Sequence, residues 1–190
     1  METRLREIFK AKKFKLQYQF PRTVYREIGR TTDERTIIAT EVPADVCLNN
    51  KLPYAAPFNY ELSDKGQLEQ IELDANETRS LLTLLNSLVL NFYLRSKISA
   101  TLNMFYMYEL PVPKLSAAQK KKLADSAAKL LKNPRDVKER AALEAFIARE
   151  LYGLSSEDWK HLTSTFTFGS GESKAELDEI IRQSFALWKD

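Results

Sequence analysis

Arginines recur at regular spacing in one segment of this sequence. Arg22, Arg26 and Arg30 are evenly spaced, and Arg35 follows them. Side chains of a β-strand alternate between its two faces, so a strand here places the first three arginines in a row on one face. A guanidinium donates two parallel hydrogen bonds, which suit a phosphate or the edge of a guanine. The spacing therefore predicts contact with nucleic acid.

Acidic residues in the same segment allow another interpretation, in which the strand is exposed and its arginines pair with Glu27, Asp33 and Glu34. The net charge of +3 does not decide between the two. Basic residues outnumber acidic ones from residue 4 to residue 35, whereas residues 61–77 are acidic. This asymmetry suggests one face for a polyanion, although a solvated basic surface explains it equally well.

Other polar residues complete the set of candidate DNA contacts. Thr31 and Thr32 lie within the arginine segment, and the amides of Asn49 and Asn50 suit an adenine edge. A point charge or a hydroxyl suffices for a phosphate, which favours Lys51, Lys97 and Thr101. Asn103 and Tyr106 are weaker candidates, because a turn amide and a core aromatic residue account for them equally well.

The residues needed for most catalytic and metal sites are scarce. The chain has one cysteine, Cys47, and one histidine, His161, which we expect on the surface of a helix. An internal disulfide and a thiolate metal cluster are excluded, and we expect no metal and no bound cofactor. The lone cysteine fits a cytoplasmic location, and we expect no signal peptide because no apolar segment follows the first residues. The most apolar stretch, residues 81–94, is too short for a bilayer, so we expect no membrane association.

The pattern of apolar and turn residues predicts an α+β fold. Residues 2–13 have the spacing of a short basic helix or form an irregular lead-in. Alternating and β-branched residues predict short antiparallel strands at 14–20, 24–28 and 36–42. Leucines at helical spacing predict one buried helix over about residues 77–97. Residues 99–110 fit either a buried strand or an aromatic-rich turn, and Pro111 and Pro113 then stop any regular element.

Beyond Pro113 the chain is predicted to be helical. The expected helices cover residues 117–131, 134–152, 156–163 and 174–189. Ser116 and Ser173 have capping-box spacing, Asn133 precedes a proline suited to a first helical position, and Gly153 suits a helix end. We therefore expect a β-rich target-recognition domain closed by a buried helix at 1–113, followed by a small helical subdomain at 114–190. The lysines at 120–122, 129 and 132 either lie along DNA or form the solvated face of a helix.

One resemblance to a known family covers about residues 20–115. The run from Arg22 through Thr36 to Ala39 resembles the target-recognition region of type IIG restriction-modification enzymes and of related TaqI-like adenine methyltransferases. The apolar block 82–95 is similar to the helix that follows the recognition strands there, and the block 102–113 is similar to the next segment. The order and spacing of the three blocks also agree.

The resemblance implies sequence-specific contact with double-stranded DNA, as part of a restriction-modification or phage-defence system. It also implies a partner, a catalytic domain or subunit that flips out an adenine and methylates it with S-adenosylmethionine. This sequence lacks the Asn-Pro-Pro-Tyr motif of such enzymes, their glycine-containing cofactor loop and a nuclease motif. The Asn-Pro-Pro-Tyr motif has only a superficial likeness in this chain, in the run Asn50-Lys51-Leu52-Pro53-Tyr54. We therefore expect a specificity domain without catalytic activity of its own; the alternative is a helical protein–protein interaction module that does not bind DNA.

Overall fold

The computed structural model describes residues 15–98 and 100–188 and shows an α+β fold. The helix or lead-in expected at 2–13 lies outside the described residues. Four short strands form two antiparallel pairs, β1 with β2 and β3 with β4. Their bounds are β1 (Arg22–Tyr25), β2 (Ala39–Val42), β3 (Phe58–Leu62) and β4 (Leu68–Glu72).

The strands differ in several places from those that the sequence predicts. The strand predicted at residues 14–20 is wrong for the described part of that segment, because Gln17–Gln19 form a short 3-10 helix. β1 ends at Tyr25 and not at residue 28, and β2 begins only at Ala39. β4 lies within the acidic segment, where no strand was predicted. Gly66 closes this β3–β4 hairpin with a φ of 69°, a backbone conformation that glycine adopts at no steric cost.

Two helices replace the single buried helix predicted over residues 77–97. They are α1 (Ala75–Leu85) and α2 (Leu88–Arg95). The hydroxyl of Ser87 accepts the backbone N–H of Leu90 and caps α2, so the polar pair Asn86-Ser87 ends one helix and starts the next. The leucine spacing identified the buried face correctly, and the prediction of one continuous helix was wrong.

The remaining described helices lie after residue 102. They are α3 (Met104–Tyr108), α4 (Ala117–Lys132), α5 (Val137–Phe146) with a π-helical continuation (Ile147–Leu151), α6 (Ser156–Ser164) and α7 (Gly171–Ala186). The short helix α3 replaces the strand or turn considered for residues 99–110. The capping box of Ser116 and Gln119 at the start of α4 is confirmed.

Two predicted helix starts were wrong. Asn133 follows the end of α4, and α5 is capped instead by Asp136, whose carboxylate accepts the backbone N–H of Glu139 at 3.0 Å. α7 begins at Gly171, so Ser173 lies inside the helix and does not cap it. Both errors arise where several residues with capping side chains follow one another, and spacing alone does not choose among them.

The apolar core joins the strand-containing part to the helices that follow Pro113. Its buried residues include Ile37 before β2, Leu84 in α1, Leu90 in α2, Leu123 in α4 and Trp159 in α6. α4 packs closely against α1 and also contacts α5. The segment between β1 and β2 is therefore held against a helical scaffold that comes from both sides of Pro113.

Candidate nucleic-acid interface

The expected row of arginines does not form, because β1 ends before Arg26 is reached. Arg22 is only 3% exposed, donates to the carbonyl oxygen of Val46 and lies over the ring of Tyr54, with 4.9 Å between the guanidinium carbon and the ring centroid. Burial removes Arg22 from the surface, so its predicted placement as a DNA contact was wrong. Its role in this conformation is to hold the chain around β1.

Arg26 shapes the loop that follows β1. Its guanidinium lies 2.9 Å from the carboxylate of Asp33 and also donates to the carbonyl oxygen of Arg35. The same carboxylate accepts the backbone N–H of Arg30 at 3.1 Å. The alternative interpretation, in which arginines pair with acidic neighbours, is confirmed for Arg26. The pairing folds residues 26–36 into a loop, which we call the arginine loop. Its tip carries Arg30, Thr31 and Thr32.

Three of the predicted contact segments come together through backbone hydrogen bonds. The N–H of Glu27 donates to the carbonyl oxygen of Lys51 at 3.1 Å, and the carbonyl oxygen of Glu27 accepts the N–H of Leu102 at 2.8 Å. The N–H of Gly29 donates to the carbonyl oxygen of Ala100 at 3.1 Å. Residues 26–32, 49–51, 97–98 and 100–103 therefore lie beside one another, and we call the surface to which they contribute the three-segment face.

Most of the predicted contact residues on the three-segment face are exposed. Those exposed to solvent are Arg30, Thr32, Asn49, Asn50, Lys51, Lys97 and Asn103. Thr31 and Thr101 are half-buried, and Thr101 forms an isolated bridge with Ile28, whose side chain is 52% exposed. The face thus combines cationic, amide and hydroxyl side chains, which are the groups that contact phosphates and base edges.

Some of these side chains are engaged within the protein. The ammonium of Lys51 lies 2.8 Å from the carboxylate of Glu27, and the side chain of Asn49 accepts the N–H of Lys51 at 2.9 Å. The ammonium of Lys97 lies 5.5 Å from the ring centroid of Tyr93. Exposed ion pairs and cation–π contacts of this kind contribute only about 1 kcal/mol or less, so they leave both lysines able to exchange partners.

Arg35 points away from the three-segment face and into the protein. Its Nη1 donates to the carbonyl oxygen of Asn86 at 2.7 Å, and burial lowers its pKa to about 10. Glu144 lies in the same region, and burial is also the main cause that raises the pKa of its carboxyl group. The sequence grouped Arg35 with the predicted DNA contacts, but the fold places its side chain away from the three-segment face.

Arg95 is a positioning residue that the choice of contact residues from the sequence missed. Its guanidinium donates to the carbonyl oxygens of Asp33 at 2.6 Å, Glu34 at 3.0 Å and Thr165 at 3.1 Å. It also lies 4.3 Å from the ring centroid of Phe166. Arg95 thus clamps the arginine loop to the segment between α6 and α7. The only sign of this role in the sequence was a basic residue, Arg95, near the end of the most apolar predicted helix.

The lysines of α4 are largely occupied by partners within the protein. Lys120 pairs with Glu77 at 2.5 Å, Lys121 with Asp125 at 2.8 Å, and Lys129 with Glu139 at 2.9 Å. The ammonium of Lys122 lies 3.6 Å from the ring centroid of Phe146. These contacts fit a solvated helix face that also ties α4 to its neighbours.

The described residues form neither a cluster suited to a metal ion nor a membrane-spanning helix. No group of three or more histidine, cysteine, aspartate or glutamate residues is arranged to hold a metal ion in the described part of the chain. No helix within residues 15–98 and 100–188 is long and apolar enough to cross a membrane. Cys47 is free and exposed, and His161 is exposed on α6, as the sequence predicted for a surface helix residue.

Comparison with known proteins adds no relative. No protein-family model, curated protein or solved structure matches this chain.

Proposed function

We propose that this chain recognises a specific sequence of double-stranded DNA and serves as the specificity part of a restriction-modification enzyme. The observation that carries the proposal is the three-segment face, where segments chosen as DNA contacts from the sequence are hydrogen-bonded to one another. Residues 27, 51 and 102 are far apart in the chain, so this convergence is not a consequence of their positions in the sequence. The block resemblance gives the same function.

The exposed side chains on this face divide into two chemical classes. Arg30, Asn49 and Asn50 carry donors and acceptors that suit guanine and adenine edges in the major groove. Lys97 and Lys51 suit phosphates, which position a protein on the duplex without reading its sequence. Arg26 and Arg95 support the loop by binding its carbonyl oxygens and so fix where Arg30 is presented.

In this proposal the chain recognises DNA and another domain or subunit performs the chemistry. The partner methylates an adenine with S-adenosylmethionine, in keeping with the family that the sequence blocks resemble. The catalytic motifs of that family are absent from this sequence. The isolated chain is therefore proposed to be non-catalytic, and methyl transfer or DNA cleavage by the pure protein would contradict this part.

The direct test is selection from a randomised duplex pool at two salt concentrations, followed by sequencing of the bound fraction. A short enriched motif is expected. Arg30→Ala is expected to relax discrimination at one base position by about 1–3 kcal/mol. Lys97→Ala is expected to weaken binding to all sequences and to lower the slope of log affinity against log salt by about 1.

Matched controls separate local contacts from general charge. Lys65→Ala removes an exposed lysine from the β3–β4 turn, outside the three-segment face, and is expected to leave the salt slope unchanged. Arg135→Ala does the same for an exposed arginine between α4 and α5. If neither Arg30→Ala nor Lys97→Ala differs from these controls, the three-segment face is not the binding surface.

The second candidate is a protein–protein interaction module formed by the C-terminal helices. Exposed apolar side chains favour it, since Leu131, Phe168 and Leu187 are 37%, 43% and 50% exposed. Salt distinguishes the two functions. Each phosphate contact makes DNA affinity fall by about 3-fold between 50 and 200 mM salt, whereas an apolar protein contact persists.

A further inference from the structure

A cavity of about 310 Å³ lies between β2 and the helices α1, α4 and α5, apart from the three-segment face. Leu82, Leu130, Leu131 and Leu143 contribute apolar walls. Leu82 and Leu143 belong to the buried core, whereas Leu131 and Ile38 are exposed. The lining therefore runs from solvent to the core, and the volume is that of a small-molecule site.

Arg35 lines this cavity as a half-buried residue whose Nη2 atom is buried. Within residues 15–98 and 100–188, no carboxylate oxygen lies within 4.0 Å of its guanidinium, and its buried Nη2 has no hydrogen-bond acceptor. A buried charge is costly unless it is paired, and a buried donor without an acceptor adds to the cost. The arrangement thus leaves the Nη2 of Arg35 short of one hydrogen-bond acceptor, which an anion would supply.

The neighbouring charged groups are already engaged. The guanidinium of Arg140 pairs with the carboxylate of Glu176 at 2.5 Å. One carboxylate oxygen of Glu144 accepts the backbone N–H of Leu88 at 2.9 Å. Arg140 and Glu144 both line the cavity, and Glu144 interacts electrostatically with Arg35 although its carboxylate oxygens do not lie within 4.0 Å of the guanidinium. Their partners leave Arg35 as the group best able to accept an added anion.

We propose that the cavity binds a small monocarboxylate with an apolar body, its carboxylate on the Arg35 side and its body against the leucines of α1, α4 and α5. Pairing with an anion satisfies the buried guanidinium, and transfer of the apolar body from water adds affinity in proportion to the area buried. The volume equals the share of roughly ten water molecules in the liquid, so it suits a molecule of the size of octanoate.

The test compares three ligands that share one apolar chain. Octanoate, 1-octanol and octylammonium are titrated into the full chain, and binding is measured by isothermal calorimetry and by shifts in the ¹H–¹⁵N spectrum. Octanoate is expected to bind about 10- to 100-fold more tightly than 1-octanol, and octylammonium more weakly than either, since a hydrogen bond to a charged group is worth that ratio. The shifted amides are expected to include Thr40, Asn86 and Leu131.

Two variants and a control locate the site. Leu131→Trp fills the exposed part of the cavity and is expected to weaken octanoate binding by at least about 10-fold. Leu187→Trp places the same side chain at an exposed position after α7, outside the cavity, and is expected to change nothing. Arg35→Gln is expected to abolish the preference for octanoate over 1-octanol, with its fold checked by circular dichroism.

Equal binding of octanoate and 1-octanol, or octanoate binding that Leu131→Trp leaves unchanged, overturns the proposal. If Arg35→Gln does not fold, the three ligands and Leu131→Trp still decide the question. No DNA is present in these measurements, so their failure does not touch the function proposed for the three-segment face.

Discussion

Replacing Arg95 tests whether the arginine loop is held by the contacts described here. Its guanidinium donates to three carbonyl oxygens, on Asp33, Glu34 and Thr165, and lies against the ring of Phe166. A hydrogen bond to a charged group contributes about 1.5–3 kcal/mol, and a cation–π contact about 0.5–2 kcal/mol. Arg95 is only half-buried and the contacts are not additive, so Arg95→Ala is expected to lower the free energy of unfolding by about 3–4 kcal/mol.

Two further variants give this prediction its controls. Arg95→Lys keeps the charge, but its three donors radiate from one nitrogen and cannot span the acceptors that Nη1 and Nη2 reach, so it is expected to lose about 2 kcal/mol. Lys97→Ala removes a nearby exposed cation and is expected to change the free energy of unfolding by less than about 0.5 kcal/mol. The free energies come from urea unfolding followed by far-UV circular dichroism and by the fluorescence of buried Trp159.

Hydrogen exchange adds a local measurement to the global one. Release of the clamp is expected to speed amide exchange in residues 33–36 before it affects the amides of α2. A loss of less than about 1 kcal/mol in Arg95→Ala, or an Arg95→Lys variant as stable as the wild type, would refute the reasoning about the clamp.

Three further changes have defined expectations. Gly29→Ala places a Cβ 1.9 Å from the carbonyl oxygen of Thr36, so the loop must move, and chemical unfolding is expected to show a loss of at least about 2 kcal/mol. Asn91→Leu leaves the N–H of Ile37 without its 3.1 Å acceptor, and a loss of about 1–3 kcal/mol is expected in the same measurement. The pKa of Glu144 is raised in the folded protein, so its protonated form stabilises the fold at acidic pH. This contribution is lost as pH rises above 4.5 through the folded pKa. Glu144→Gln is expected to remove that decline in the free energy of unfolding, measured with urea between about pH 4 and 7.

Specific outcomes contradict these expectations. A Gly29→Ala variant of normal stability means that the loop backbone is free to shift by the required distance. A neutral Asn91→Leu variant means that Ile37 finds another acceptor. Parallel stability curves for Glu144→Gln and the wild type mean that Glu144 does not exchange a proton in this pH range.

The sequence predicted the fold class and several helices because local signals and packing agreed there. The leucine spacing of α1 and α2 and the capping box at Ser116 are examples. Local signals did not reveal the break at Asn86-Ser87, since both residues also occur inside helices. The side chain of Asn86 bonds both the N–H and the carbonyl oxygen of Ala39, which lies on another element, and sequence spacing does not contain such contacts.

The candidate site was predicted in its residue types more accurately than in its geometry. Even spacing suggested a row of arginines, but burial took Arg22 into the protein, Asp33 engaged Arg26, and Arg35 turned toward Asn86. Each of these outcomes depends on a partner brought near by the fold. Arg30 kept its predicted exposure, since its backbone is held by Asp33 and its side chain extends from the loop tip.

The clamp on the arginine loop acts mainly on the peptide backbone. Arg26 and Arg95 bind carbonyl oxygens of residues 33–36, and every amino acid carries a carbonyl oxygen. Replacements at the neighbouring Thr31 and Thr32 therefore leave the acceptors in place and the path of the loop unchanged. During evolution this tip can diversify in side-chain chemistry while the scaffold beneath it is inherited intact, and the same tolerance makes it a starting point for engineered libraries.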